Sequence, residues 1–192
     1  MPYNPQIHHR RSIRLKGHDY TQPGAYFITI CTNQRQCLFG DIVTGEMQLN
    51  NLGKIAFNCW QEIPKHFSHI ELDAFVVMPN HLHGILLITR RPLGVQDSCA
   101  PSTEQFGKPV PGSISTVVRT YKAAVSKQIN IIGNTKGVSV WQRNLYEHIG
   151  RDEKSLSNIR QYIIDNPQQW EKDVENPIFY PDSKELVFDI PF

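Results

Sequence analysis

The stretch FVVMPNHLHGILLI, residues 75–88, decides how the chain is read. It is almost wholly apolar, yet Asn80, His81 and His83 stand in its middle. Pro79-Asn80 is a turn signal, so the segment divides into one strand ending near Met78 and a second strand, HLHGILLI. With IELDAFVVM before it, the pair predicts an antiparallel hairpin. Side chains at i and i+2 of a strand share a face, so His81 and His83 project side by side. Leu82, Leu86 and Ile88 project from the other face. Gly84 points that way too and admits a close approach.

Outward from this hairpin, GAYFITICT (residues 24–32) reads as a strand and GDIVTGEMQLN (40–50) as a second hairpin turning at Thr44-Gly45. Leu52, Ile55, Ala56, Cys59, Trp60 and Ile63 recur at helical spacing, and Pro64 ends that helix or lies in its last turn. Residues 89–113 are rich in Pro, Gly and polar side chains and read as a long loop. A helix follows, with Ile114, Val117, Val118, Tyr121 and Val125 in its stripe. VSVWQRNLYEHIG (138–150) reads as extended. The last helix is capped by Asp152 and buries Leu156, Ile159 and Ile163; Pro167 ends it or opens a short helix carrying Trp170. Strands interleaved with helices, several in hairpins, give an α+β fold with a mainly antiparallel sheet. The expected layout is ferredoxin-like (RRM-like). Helices lie on one face, and the last helix packs near the imidazoles on the other.

The 192 residues suit one domain with a sizeable core, with residues 1–20 as a basic arm and 174–192 as a tail. Apolar residues make up 40 %, a globular composition. No apolar run approaches the roughly 20 residues of a membrane helix, and the N-terminal stretch lacks a secretory core. The four cysteines have no C-x-x-C spacing. A cytoplasmic protein with reduced thiols is expected. The net charge of +2 does not by itself imply nucleic acid. Its distribution says more: Arg10, Arg11, Arg14 and Lys16 stand near the start with no acid among them. Such an arm can track phosphates or can simply be a solvated tail.

Two neighbouring imidazoles make a bidentate metal platform. The alternative is a pair of hydrogen-bonded histidines at a strand start. VVMPNHLHGI resembles the His-hydrophobe-His (HUH) motif of single-strand DNA endonucleases. With WQRNLYEHIGRDEKSLSNIRQYIIDNP downstream and GAYFITICTNQRQCLFG upstream, the chain resembles the REP-associated tyrosine transposases, single-tyrosine HUH enzymes. The resemblance runs from about Arg10 to Trp170. It implies that Tyr162 attacks a scissile phosphate and that Asn166 joins His81 and His83 as a ligand of one divalent metal ion, Mg²⁺ or Mn²⁺. Spacing supports the pairing, because residues four apart lie on one helix face. Tyr162 could equally be a core tyrosine at the edge of the Ile159/Ile163 stripe, and Asn166 before Pro167 could cap a following helix.

The function so implied is a metal-dependent single-stranded DNA endonuclease and strand transferase acting at DNA hairpins through a 5′-phosphotyrosine. Its partner would be single-stranded DNA with hairpin-forming palindromic repeats, its state monomer or homodimer. Arg10, Arg11, Arg14 and Arg143 are the expected phosphate contacts, with Arg119 and Lys122 weaker ones. Glu147 and His148 form an ionisable pair that could brace a ligand or simply the fold. Two rival readings stand beside this one: a non-catalytic single-stranded nucleic-acid binder, and a metal-dependent hydrolase that does not use the tyrosine.

Overall fold

Strand β1 (Gly24–Cys31) forms the middle of a four-stranded sheet, paired with β5 (His81–Ile88) on one side and β6 (Tyr146–Gly150) on the other. β4 (Ile70–Val77) closes the sheet outside β5, so the order is β4-β5-β1-β6, all antiparallel. The computed structural model describes residues 18–90, 110–143, 145–150 and 152–177. Most of the basic arm with Arg10, Arg11 and Arg14, residues 91–109 of the long loop, and the tail beyond residue 177 lie outside the described residues.

The β4–β5 hairpin forms as its sequence predicts, with Val77 opposite Leu82 and Met78 N–H donating to the His81 carbonyl. The small hairpin β2 (Gly40–Val43) and β3 (Glu46–Leu49) turns on Thr44 and Gly45, both with positive φ, the pair of left-handed residues that a tight hairpin needs. Helix α1 (Asn51–Gln61) starts where the Asn50 side chain accepts from the Leu52 and Gly53 N–H groups. The short α2 (Ile63–His66) follows it, with Pro64 in its first turn, where a missing N–H costs nothing. Helix α3 (Ile114–Ile132) is capped by Ser113.

These three helices cover one face of the sheet. Ile28, Ile30, Leu82, Leu86 and Ile88 meet Trp60, Ile63, Val117, Val118, Tyr121 and Val125 there. Gly84 lies at the centre of that face, and the Trp60 ring occupies the place a Cβ would take. The order β1-α1-β4-β5-α3-β6, with β1 and β5 central, is the ferredoxin-like arrangement.

Helix α4 (Glu153–Gln169) covers the opposite face, where Ile159 and Ile163 pack on Phe27 and Ile85. Asp152 caps it, its Oδ1 accepting from Ser155 N–H at 2.7 Å. Pro167 neither ends this helix nor opens a new one. The helix continues to Gln169 and tightens into a 3-10 turn at Trp170–Lys172. A proline here forfeits one backbone hydrogen bond but leaves Asn166, 2 % exposed, inside the helix and facing the sheet. Asn166 is therefore not a cap. The 138–150 segment also divides. Trp141 makes an isolated bridge to Thr32 before the strand resumes at Tyr146.

Candidate active site

Alternation along β5 sends His81 and His83 to the α4 side, where both are buried, at 0 % and 1 % exposure. Their rings lie 4.5 Å apart between centroids. Asn80 Nδ2 donates to the carbonyls of Arg35, at 3.1 Å, and Glu175, at 2.6 Å. Its Oδ1 must then face His81 Nδ1, 2.9 Å away, and accept its proton. That leaves His81 Nε2 with a lone pair, and this nitrogen makes no hydrogen bond among the described residues. His83 Nδ1 lies 2.8 Å from Thr29 Oγ1, which can accept the Nδ1 proton and free Nε2 in the same way. Burial holds both imidazoles below their ordinary pKa, His83 the further of the two. Both are thus neutral at pH 7, the form that binds metals.

Helix α4 delivers the phenol. The Tyr162 hydroxyl lies 3.3 Å from His83 Nε2, and the ring stands edge-on to Phe27. Burial pushes this hydroxyl well above the usual tyrosine range; Asp173 adds to the shift, and the neighbouring Asn166 amide opposes it. One turn on, Asn166 Oδ1 is buried and accepts no hydrogen bond among the described residues.

Two interactions hold α4 in place, and they differ in size. Burying Ile159 and Ile163 contributes about 3–6 kcal/mol. The Arg160 guanidinium grips Asp73 of β4 through Nε and NH2, at 2.9 and 2.7 Å from Oδ2, and donates to Glu153 Oε1 at 2.7 Å. This half-exposed pair is worth no more than about 1 kcal/mol. The apolar seam binds the helix, and the guanidinium sets its rotation. Arg160→Ala is therefore expected to cost about 1 kcal/mol or less in a urea melt. It should nevertheless lower the rate of any reaction of Tyr162, because a displacement of about 1 Å can cost roughly 100-fold.

Past the helix, Asp173 Oδ2 comes within 3.8 Å of His81 Nε2. His81, His83 and Asp173 each offer one atom, all within 4.8 Å of one another, a group that could hold a metal ion. The orphaned His81 Nε2 and Asn166 Oδ1 fit such an ion. Imidazole, amide and carboxylate donors suit Mn²⁺ or Mg²⁺ rather than a thiolate-bound metal. Cys31 lies across the ladder from His81, but burial pushes its thiol far up and it donates to Glu175 Oε2.

The other sequence-predicted residues are more scattered. Opposite Phe27, His148 shares the imidazole face; opposite Ile28, Glu147 belongs to the other face, beneath α1 and α3. The structure does not bring Glu147 to the imidazoles. Arg119 is exposed on α3, in the layer across the sheet from α4. On the same helix, Lys122 donates to the Gln142 carbonyl at 2.5 Å, with its pKa lowered by burial to about 8. Arg143 is exposed just before β6. Asp173 carries no signal in the sequence, since it lies beyond the periodic helix in an acid-rich stretch. Asn80 stands in the motif but reads there as a turn residue.

No family model matches the chain. An uncharacterised protein of Haemophilus influenzae is 46 % identical over 176 residues, 89 % of this chain and 95 % of its own. A second Haemophilus influenzae protein, "Putative REP-associated tyrosine transposase", is 24 % identical over 149 residues, 78 % of this chain and 73 % of its own. The fold is similar to that of a solved REP-associated tyrosine transposase bound to a REP hairpin. The TM-score is 0.53 at 19 % identity, covering 95 % of this chain and 96 % of the other. The chain is thus similar to REP-associated tyrosine transposases in sequence and in fold. Among its described residues, no helix is long and apolar enough to cross a membrane. The ferredoxin-like layout is thus shared with that solved structure, and His81 and His83 lie on the strand next to β1.

Proposed function

We propose that this protein is a transposase that cuts and rejoins single-stranded DNA beside a hairpin, using Tyr162 as nucleophile and His81, His83 and Asn166 as ligands of one Mg²⁺ or Mn²⁺ ion. One observation carries the reading: the Tyr162 hydroxyl lies 3.3 Å from His83 Nε2, beside the lone pairs of His81 Nε2 and Asn166 Oδ1. A bound cation would draw charge from the non-bridging oxygens of the scissile phosphate. Tyr162 is the partly exposed member of the group, so the phosphate approaches from its side. Its oxygen bonds to phosphorus and gives up its proton, and the bond to the 3′ oxygen breaks. The products are a 5′-phosphotyrosine and a free 3′-OH. Attack by another 3′-OH reverses the exchange and returns the phenol, so strands join without ATP.

Hairpin DNA with a single-stranded flank is the proposed substrate, supported by the REP hairpin in the related structure. Arg10, Arg11 and Arg14, with Arg143, are the proposed phosphate contacts, and Arg119 contributes less. Replacing all three arm arginines with alanine should weaken hairpin binding and reduce the slope of log K against log salt by up to about 3. Fluorescence anisotropy over a salt series measures it, and an unchanged slope assigns the arm to solvent.

The reading is tested by incubating the protein with hairpin-bearing single-stranded DNA and Mn²⁺ or Mg²⁺, followed by a denaturing gel. A metal-dependent covalent band supports it. Cleavage with no covalent band points instead to a hydrolase that bypasses Tyr162, and tight binding without cleavage to a nucleic-acid binder.

A further inference from the structure

We propose that Asp173 is a ligand of the same cation, carried to the imidazoles by the turn that follows α4. The inference rests on the metal-dependent reading above and adds to it a charged ligand outside the histidine strand and the tyrosine helix.

The carboxylate is almost enclosed, its side chain 5 % exposed. Its two oxygens have different tasks. Oδ1 accepts from the Glu175 N–H at 2.7 Å and so fixes the turn. Oδ2 is turned to His81 Nε2 at 3.8 Å. That separation is too long for a hydrogen bond. It suits two donors on one ion, which at about 2.1 Å each from the metal lie no more than about 4.2 Å apart. The widest spacing in the group, within 4.8 Å, closes to this by a shift of some tenths of an ångström. A carboxylate and an imidazole lone pair brought together away from water repel, and a shared cation reverses the sign.

The turn is held in place from several directions. Asn176 Nδ2 donates to the Trp170 carbonyl at 2.9 Å, and Arg35 Nε pairs with Glu175 Oε2 at 2.9 Å. Asn80 Nδ2 donates to the Glu175 carbonyl, and its Oδ1 takes the Nδ1 proton of His81. One amide thus holds the Asp173 turn and keeps His81 Nε2 free for the ion. Asn80 is the link between the two ligands. With Asp173 bound, the ion gains an anionic oxygen beside neutral nitrogen and amide donors, which favours Mg²⁺ and Mn²⁺ over softer metals.

The test is Mn²⁺ binding to the full chain, by titration calorimetry and electron paramagnetic resonance, without DNA. Asp173→Asn retains the oxygen that accepts from Glu175 N–H, so its melting temperature in EDTA should match wild type. Its affinity for Mn²⁺ should fall at least tenfold, since even outer-shell changes cost about 10–100-fold. Asp173→Glu should recover part of that affinity. A purely structural Asp173 would give the reverse ranking, with Asn the better substitute. His81→Ala is the control and should abolish binding. If His81→Ala loses Mn²⁺ while Asp173→Asn binds as wild type, or better than Asp173→Glu, Asp173 is no ligand and the proposed function stands without it. If wild type binds neither Mn²⁺ nor Mg²⁺, the metal-dependent reading falls as well.

Discussion

Tyr162→Phe is expected to eliminate the covalent protein–DNA product and to slow cleavage of hairpin-bearing single-stranded DNA on the order of 10⁴-fold or more. Losing a nucleophile removes the reaction path, not just a binding contact. The substitution separates chemistry from architecture. The phenylalanine ring still packs against Phe27, Ile159 and Ile163. The lost contact is the 3.3 Å approach to His83 Nε2, worth about 1 kcal/mol at most. Melting temperature, hairpin affinity and Mn²⁺ affinity should stay near wild type. A variant that still cuts DNA at close to the normal rate would transfer the chemistry to water or to another side chain.

Gly84→Val should damage the fold more than any surface change. The position follows His83 on β5 with its Cα facing Trp60, which is 0 % exposed. A new side chain there requires the indole or the central strand to move. Overpacking of this kind costs about 3 kcal/mol, near the upper end of its usual range. Urea denaturation measures the loss. Adding Trp60→Leu makes room, so the valine should cost markedly less in that background. Equal costs in both backgrounds would remove Trp60 as the cause. The prediction also links fold to site, because shifting β5 moves His81 and His83 together.

Local signals carried much of this architecture. The 75–88 stretch contains its own turn, its own alternation and the glycine that receives Trp60, so the hairpin and its two faces are readable from a few residues. The same holds for α4, where Asp152, Ile159 and Ile163 state cap and stripe directly. What escaped depends on contacts distant in sequence. Asp173 meets His81 only because the chain passes through Pro167 and then turns back at Trp170, and nothing local announces either step. Asn80 looks like a turn former until its amide is seen between Arg35, Glu175 and His81. Glu147 is a different case. Neighbours on a strand point to opposite faces, so treating Glu147 and His148 as one pair conflicts with alternation once residues 146–150 are a strand. Lys122 was expected as a weak phosphate contact, but its stem is buried and its ammonium holds the Gln142 carbonyl.

The most direct measurement is to identify the amino acid that becomes joined to DNA. The protein would be incubated with a hairpin-bearing single strand and Mn²⁺, the DNA trimmed with nuclease, and the peptides mapped by mass spectrometry. The account predicts a nucleotide attached through its 5′ phosphate to the peptide containing Tyr162, formed only when metal is present. Attachment at Tyr121 or Tyr146, or strand cleavage with no attached peptide, would contradict it.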